Sequence, residues 1–173
     1  MDYALPVSFW DFALITPRSF MITTTDEDGA ILLYKFSCPD EPTPVHVATL
    51  QMPPLELEGD HVMLFLSSHS GPFLAKSPSG TEFTTRPDSR IQVLSVGYRN
   101  GNMLFGNAHL FGFFYVHNRT FEKYINDYGR VEGVLDRESI QNHPPIATEV
   151  PWNEWGPGNT RFSTVRSPTH WLR

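Results

Sequence analysis

Short apolar runs separated by turn-forming residues recur along the chain, and the clearest series precedes Leu55. It predicts strands at residues 12–15, 20–25, 30–36 and 45–51, because apolar runs bounded by Gly, Pro, Asp and Ser are typical of antiparallel strands joined by tight turns. The last predicted strand ends just before a pair of prolines. About three or four short strands in this order are typical of one blade of a β-propeller.

The pattern continues with predicted strands at residues 61–66, 91–96 and 111–117. The last of these is apolar on both sides, which is typical of a strand in the interior of a sheet. Residues 67–90 are mostly polar and are predicted as a long loop, and residues 98–107 are predicted as a glycine-rich excursion.

One helix is predicted near residues 118–127, because Asn118 is a good N-cap residue and Phe121 and Ile125 follow at helical spacing. Residues 130–149 are polar and interrupted by proline, and no strand is predicted there. The pattern therefore predicts an all-β fold of antiparallel sheets, arranged as an incomplete β-propeller of two to three blades with one short helix.

A chain of 173 residues can form one domain with a real core, but it is too short for a closed propeller. A four-stranded blade takes about 40–45 residues, and a propeller usually has about four to eight blades. We therefore expect a single β-rich domain over residues 1–173 that is a fragment of a larger propeller-like domain. An exposed apolar patch is expected where further blades would pack. A self-associating unit and a different small β-fold remain alternatives.

Charge, cysteine content and the length of the apolar runs limit the possible ligands and cellular compartments. The net charge is −6 and there is no block of lysine and arginine, so nucleic acid is not expected as a ligand. The single cysteine, Cys38, cannot form an internal disulfide, and no secretory signal is visible near the N-terminus. No apolar run has the roughly 18–20 residues that a membrane span requires. A cytosolic or nuclear protein without membrane contact is predicted.

The sequence offers little for catalysis. Seven histidines suggest a metal site, yet no His-x-His, Cys-x-x-Cys or His-Glu-x-x-His spacing is present. Serines lie beside His69, but the Gly-x-Ser-x-Gly elbow of hydrolases is absent. We therefore predict no catalytic, metal-binding or cofactor-binding residue and no enzyme activity. The alternative is a hydrolytic or small-molecule-binding β-domain whose pocket is lined by histidines, namely His61, His69, His109 and His117.

The segment around Trp152 and Trp155 is the least ordinary part of the chain. Because prolines flank it at 151 and 157, we predict an irregular, ordered loop whose two rings pack on the preceding sheet. Glu154 is predicted to point outward, and Arg161 to pair with an acidic group or a backbone carbonyl. The alternative is that Trp152, Trp155 and Arg161 bind a partner, since Trp and Arg are enriched at binding hot spots.

Several stretches resemble the C-terminal, propeller-like region of fungal F-box proteins. The most specific is the Trp-x-x-Trp-Gly-Pro block at 152–157, and the others are the segments 10–14, 20–23, 29–36, 47–54, 91–96, 114–121 and 159–162. The resemblance implies a non-catalytic, WD40-like domain that recognises protein substrates for a ubiquitin ligase. The F-box module that docks on the adaptor Skp1 is not visible, since the chain opens in a strand pattern, so Skp1 binding is not expected from this chain. An unidentified protein partner is expected.

Overall fold

The computed structural model describes residues 10–26, 29–36, 44–54, 61–69, 89–100, 110–132 and 147–165. Most of these residues lie in strands. In chain order the elements are β1 (Asp11–Thr16), β2 (Ser19–Thr24), β3 (Ala30–Phe36), β4 (Pro44–Gln51), β5 (His61–Ser68), β6 (Ile91–Asn100), β7 (Leu110–His117), α1 (Asn118–Glu132), β8 (Thr148–Val150), α2 (Trp152–Asn159) and β9 (Thr160–Val165).

The strands form two separate sheets. The first sheet has the order β1-β2-β3-β4-β8, and the second has the order β5-β6-β7-β9. All neighbouring strands are antiparallel except β4 and β8, which are parallel. Strands β1 and β2 contact β5, so the first strands of the two sheets lie side by side. The prediction of an all-β, incomplete propeller-like fold is confirmed, with two blades described.

The main core lies between the two sheets. The alternation within each strand turns one row of side chains from each sheet towards the other. The first sheet supplies Ile15, Met21 and Leu33, and the second supplies Leu94 and Val116, all buried. Helix α1 closes this core with Phe121 and Ile125, and α2 closes it with Trp155.

The central strands of the first sheet are also buried on the face that points away from this core, whereas Phe12 on the edge strand β1 is 49% exposed. Phe20 stacks on Tyr34 with ring centroids 5.1 Å apart, and Tyr34 stacks on His46 at 4.9 Å. The ring of Phe36 also packs against Phe20, with centroids 5.4 Å apart. Strand β2 is buried along its whole length as a result.

A buried polar side chain joins the two sheets. Asn118 Nδ2 donates to the carbonyl of Ile15 on β1 at 3.0 Å, and Asn118 Oδ1 accepts from Gln92 Nε2 on β6 at 2.8 Å. Its Nδ2 also donates to Glu122 Oε1 at 2.8 Å. Helix α1 does begin at Asn118, as predicted, but this side chain links the sheets. Buried amides require such partners, since an unsatisfied one costs about 1–3 kcal/mol.

Several sequence-based boundaries need correction. The predicted loop at Trp152 and Trp155 is the helix α2, and α1 runs to Glu132 instead of ending near residue 127. Strand β6 continues to Asn100, into the predicted excursion. Strands β8 and β9 were not predicted at all. His109 lies outside the described residues, as does most of the loop predicted over residues 67–90, of which only 67–69 and 89–90 are described.

Candidate functional site

The candidate site is the outer face of the second sheet, which points away from the core. Cross-strand partners share a face of a sheet, so the pairing of Ile91 with His117, and of Val93 and Arg161 with Tyr115, places these five side chains together. Ile91 and Tyr115 are 47% and 39% exposed. Large apolar side chains with this exposure are available to a partner.

A row of aromatic rings continues the outer face towards the other end of the strands. Phe65 lies over Gly97, where an added Cβ would come within 2.3 Å of the ring. The Phe65 and Phe111 centroids are 5.7 Å apart, and Phe111 meets Phe113 edge-on at 5.1 Å. These three rings are half-buried. Trp10, which is exposed, reaches the end of the row with its centroid 6.4 Å from that of Phe65.

A cavity of about 230 Å³ lies at the end of the outer face where β7 leads into α1. Ile91 and Tyr115 form its apolar side. Its polar side comes from the start of α1, the end of α2 and the start of β9, namely Arg119, Thr120, Gly158, Asn159, Thr160 and Arg161, with His117 from β7.

The polar side of this cavity is cationic. Arg119 and Arg161 both line it, and none of its described lining residues is a carboxylate. Arg161 Nη1 donates to the carbonyl of Thr160 at 2.9 Å, which confirms the predicted contact of Arg161 with a backbone carbonyl. A positive site on a chain of net charge −6 is a local feature that the composition does not reveal.

Two carbonyl groups near the end of α2 already accept hydrogen bonds. A helix C-terminus carries a partial negative charge on its unsatisfied carbonyls. Here Asn159 Nδ2 donates to the carbonyl of Trp155 at 2.7 Å, and the backbone N–H of Thr160 donates to the carbonyl of Gly156. These two carbonyl groups therefore already have donors.

The two tryptophans serve the interior. Trp155 is fully buried, and its Nε1 donates to the carbonyl of Gln51 on β4 at 2.7 Å. Trp152 is half-buried and packs edge-on against both Trp155 and Phe114, with centroids 5.0 and 5.3 Å apart. The prediction that the rings pack on the preceding sheet is confirmed, and Glu154 is exposed as predicted. Of the three residues considered for partner binding, Arg161 alone lies on the outer face.

The histidines whose side chains are described, His46, His69 and His117, do not form a common site, and the side chain of His61 lies outside the described part of the chain. His69 Nε2 lies 2.7 Å from Ser95 Oγ, but Ser95 is buried. The nearby carboxylate of Asp11 accepts hydrogen bonds from the hydroxyls of Ser67 and Ser68 and from the backbone N–H of Ser68. These contacts attach β1 to β5. His117 lines the cationic cavity instead, and no three His, Cys, Asp or Glu side chains among the described residues are arranged to hold a metal ion.

A second cavity of about 280 Å³ lies between the β1–β2 turn and α1. Residues of both charges line this cavity, namely Arg18 and Lys35 on one side and Glu122 on the other. Because the carboxylate of Glu122 offsets one of the two positive charges, this cavity offers less net charge to an anion than the first.

No family model, curated protein or solved structure matches this chain significantly. Within the described residues, no helix combines the length and the apolar character needed to cross a bilayer. The function therefore has to be argued from the outer face and its cavity.

Sequence reasoning named Arg161 and His117 but missed Ile91, Tyr115 and Arg119. The signal was the row of Phe113, Tyr115 and His117 on one face of β7. The side chains of this row become more polar towards His117. That row predicts a strand face that reaches water at one end. The strand was instead interpreted as apolar on both sides and interior to a sheet, and β7 does lie between two other strands, β6 and β9.

Proposed function

We propose that this chain is a protein-recognition domain and that the outer face of the second sheet is its recognition surface. The single observation that carries this proposal is the exposure of Ile91 and Tyr115 beside Arg161 on a face where the neighbouring aromatic rings are half-buried. Interface cores are enriched in aromatic residues and Arg, and Tyr and Arg are frequent hot spots.

The edge of the second sheet supports the same proposal. Strand β9 has a described neighbour, β7, on one side only, and Arg161, Phe162, Ser163 and Thr164 on it are exposed. An edge strand presents backbone N–H and C=O groups to which an extended partner segment can add. The expected occupant is thus a protein segment that offers apolar side chains to Ile91 and Tyr115.

The resemblance to fungal F-box proteins supports a more specific role. In that role the chain is part of the substrate-receptor region of an F-box protein, acts without catalysis, and works in the cytosol or nucleus. The chain by itself is not expected to bind Skp1.

The test is affinity purification with quantitative mass spectrometry. The wild type is compared with an Ile91→Ser/Tyr115→Ser variant and with Phe12→Ser, a matched control that changes an exposed aromatic residue on the first sheet. Circular dichroism first establishes that all three are folded.

The expected result is a set of proteins that the wild type and Phe12→Ser retain and that the double variant loses. The same set in all three samples would contradict the assignment of this face. Recovery of Skp1 with the wild-type chain would contradict the expectation that Skp1 binding needs an added F-box.

A further inference from the structure

We infer that the cationic cavity beside Ile91 and Tyr115 binds a carboxylate side chain of the partner, so that the recognised segment has Asp or Glu next to an apolar residue. This inference rests on the proposed function and names the chemistry of its partner.

The charges of the cavity support an anion. Arg119, Arg161 and His117 line it together, and its described lining includes no carboxylate. The carbonyls of Trp155 and Gly156 at the end of α2 each already accept a hydrogen bond from within the chain. Guanidinium groups bind carboxylates through two parallel hydrogen bonds, which gives geometric specificity as well as affinity.

One hydrogen bond to the backbone restrains the guanidinium of Arg161. Its Nη1 donates to the carbonyl of Thr160, within its own strand and at the wall of the cavity. A side chain that is already anchored loses less conformational freedom when it binds a ligand. Arg161 is therefore expected to contribute more to anion binding than Arg119, for which the described residues provide no such anchor.

The surroundings favour a carboxylate over a phosphate. The chain carries a net charge of −6, which repels a dianion more strongly than a monoanion. The cavity also has an apolar side formed by Ile91 and Tyr115, against which the neighbouring residue of the ligand can pack. A segment with the order apolar-acidic-apolar fits both sides at once.

The probes are three blocked tripeptides, acetyl-Leu-Glu-Leu-amide, acetyl-Leu-Gln-Leu-amide and acetyl-Leu-phosphoSer-Leu-amide. Each is titrated into the ¹⁵N-labelled full chain at constant ionic strength, and backbone amide shifts are followed. The Glu peptide should shift the signals of Arg119, Thr120, Asn159, Thr160 and Arg161, and the Gln peptide should not. Added NaCl should weaken the binding.

Two variants separate the anion site from a general charge effect. Arg161→Gln should weaken binding of the Glu peptide by about tenfold or more, the usual cost of losing a hydrogen bond to a charged group. Arg18→Gln removes the same charge at an exposed arginine of the second cavity and should leave the affinity unchanged. Retention of all assigned signals in Arg161→Gln outside the cavity shows that this variant is folded.

Three results would overturn the inference. They are equal binding of the Glu and Gln peptides, shifts that lie away from the cavity, and tighter binding of the phosphoserine peptide, which would assign the cavity to phosphate. If the peptides fail but the purified proteins still depend on Ile91 and Tyr115, the recognition face stands and only the carboxylate is wrong. If the peptides bind and no protein depends on those residues, the anion site stands without the proposed function.

Discussion

The central strands of the two outer faces carry similar aromatic residues that differ in exposure, whereas Phe12 at the edge of the first sheet is exposed. On the first sheet, Phe20 and Tyr34 are buried in a stack that ends at His46. On the second sheet, Tyr115 and Ile91 stay exposed, and the row ends at charged groups around the cavity. The comparison teaches that residue type alone does not locate a recognition surface. We propose the recognition surface at the place where an aromatic row meets water and charge.

The two faces also differ in what their polar groups do. His46 lies within the stack of the first sheet, with Nε2 3.1 Å from both the carbonyl of Ala48 and Oγ1 of Thr49. His117 and Arg161 on the second sheet line a cavity instead. His46 thus forms hydrogen bonds within the first sheet, whereas His117 and Arg161 on the second sheet face a cavity.

The largest expected effect lies in the core that the two sheets share. Trp155→Ala should lower the free energy of unfolding by about 3–5 kcal/mol, because it removes a fully buried ring and its hydrogen bond to Gln51. The loss of unfolding free energy is measured by urea denaturation followed by far-UV circular dichroism. Trp10→Ala, at an exposed tryptophan, is the control and should cost less than about 1 kcal/mol. Full stability of Trp155→Ala with loss of a partner would instead make this tryptophan a binding anchor.

A pair of tyrosines tests the comparison directly. Tyr34→Ala on the first sheet should cost about 3–5 kcal/mol in unfolding free energy, as for other buried aromatic residues. Tyr115→Ala on the second sheet should cost about 1 kcal/mol or less, because its ring is already partly in water. Equal losses in the same denaturation experiment would show that the two faces are equally structural, and the comparison would fail.

Substitution of Gly97, which lies under the ring of Phe65, should have a smaller effect on stability. An added methyl at Gly97 would come within 2.3 Å of the Phe65 ring, which has to move, so Gly97→Ala should cost about 1–3 kcal/mol. Gly158→Ala is the matched control, because nothing lies within 4 Å of the added Cβ, and it should change stability by about 0.5 kcal/mol or less. Thermal unfolding of both variants is compared with that of the wild type. A neutral Gly97→Ala would mean that the ring of Phe65 is loosely held.

The smallest effect is the pH dependence at His46. Burial lowers the pKa of His46 below its ordinary value of 6.5, and the hydrogen bond to the carbonyl of Ala48 offsets this only in part. The unfolded chain therefore binds this proton more readily than the folded one. The contribution of neutral His46 to the free energy of unfolding is complete above about pH 6.5. It is lost as the pH falls through the lower pKa that His46 has in the folded state. Unfolding free energy measured against pH should fall less steeply in His46→Asn than in the wild type, and identical slopes would contradict the prediction.

The sequence predicted most strands because the signal for a strand is local. Strand β3 was placed at its observed bounds, 30–36, from an apolar run between two turns. The turn before it is supported by Gly29, whose φ of 90° suits glycine and whose N–H donates to the carbonyl of Asp26. Strand β9 was missed because Thr160–Val165 alternates weakly, and its pairing with β7 is a long-range contact.

Helix α2 shows why the prediction from proline was wrong. Pro151 lies just before the helix, where its missing N–H costs no helical hydrogen bond, and Pro157 lies close to the end. Eight residues with an internal proline would not be stable as an isolated helix. Burial of Trp155 in the shared core, together with its bond to Gln51, holds the segment in place. Tertiary packing overrides local propensity here.

The sequence by itself determined the class of fold, the approximate positions of seven strands and the burial of the tryptophan block, because alternation and turn chemistry act over a few residues. The tertiary structure decided which aromatic face is covered and which is open. It also brought together Arg119 and Arg161, which lie on different elements far apart in the chain. The physical reason is that burial and electrostatic fields depend on what packs next to a residue in space, and no local pattern contains that information.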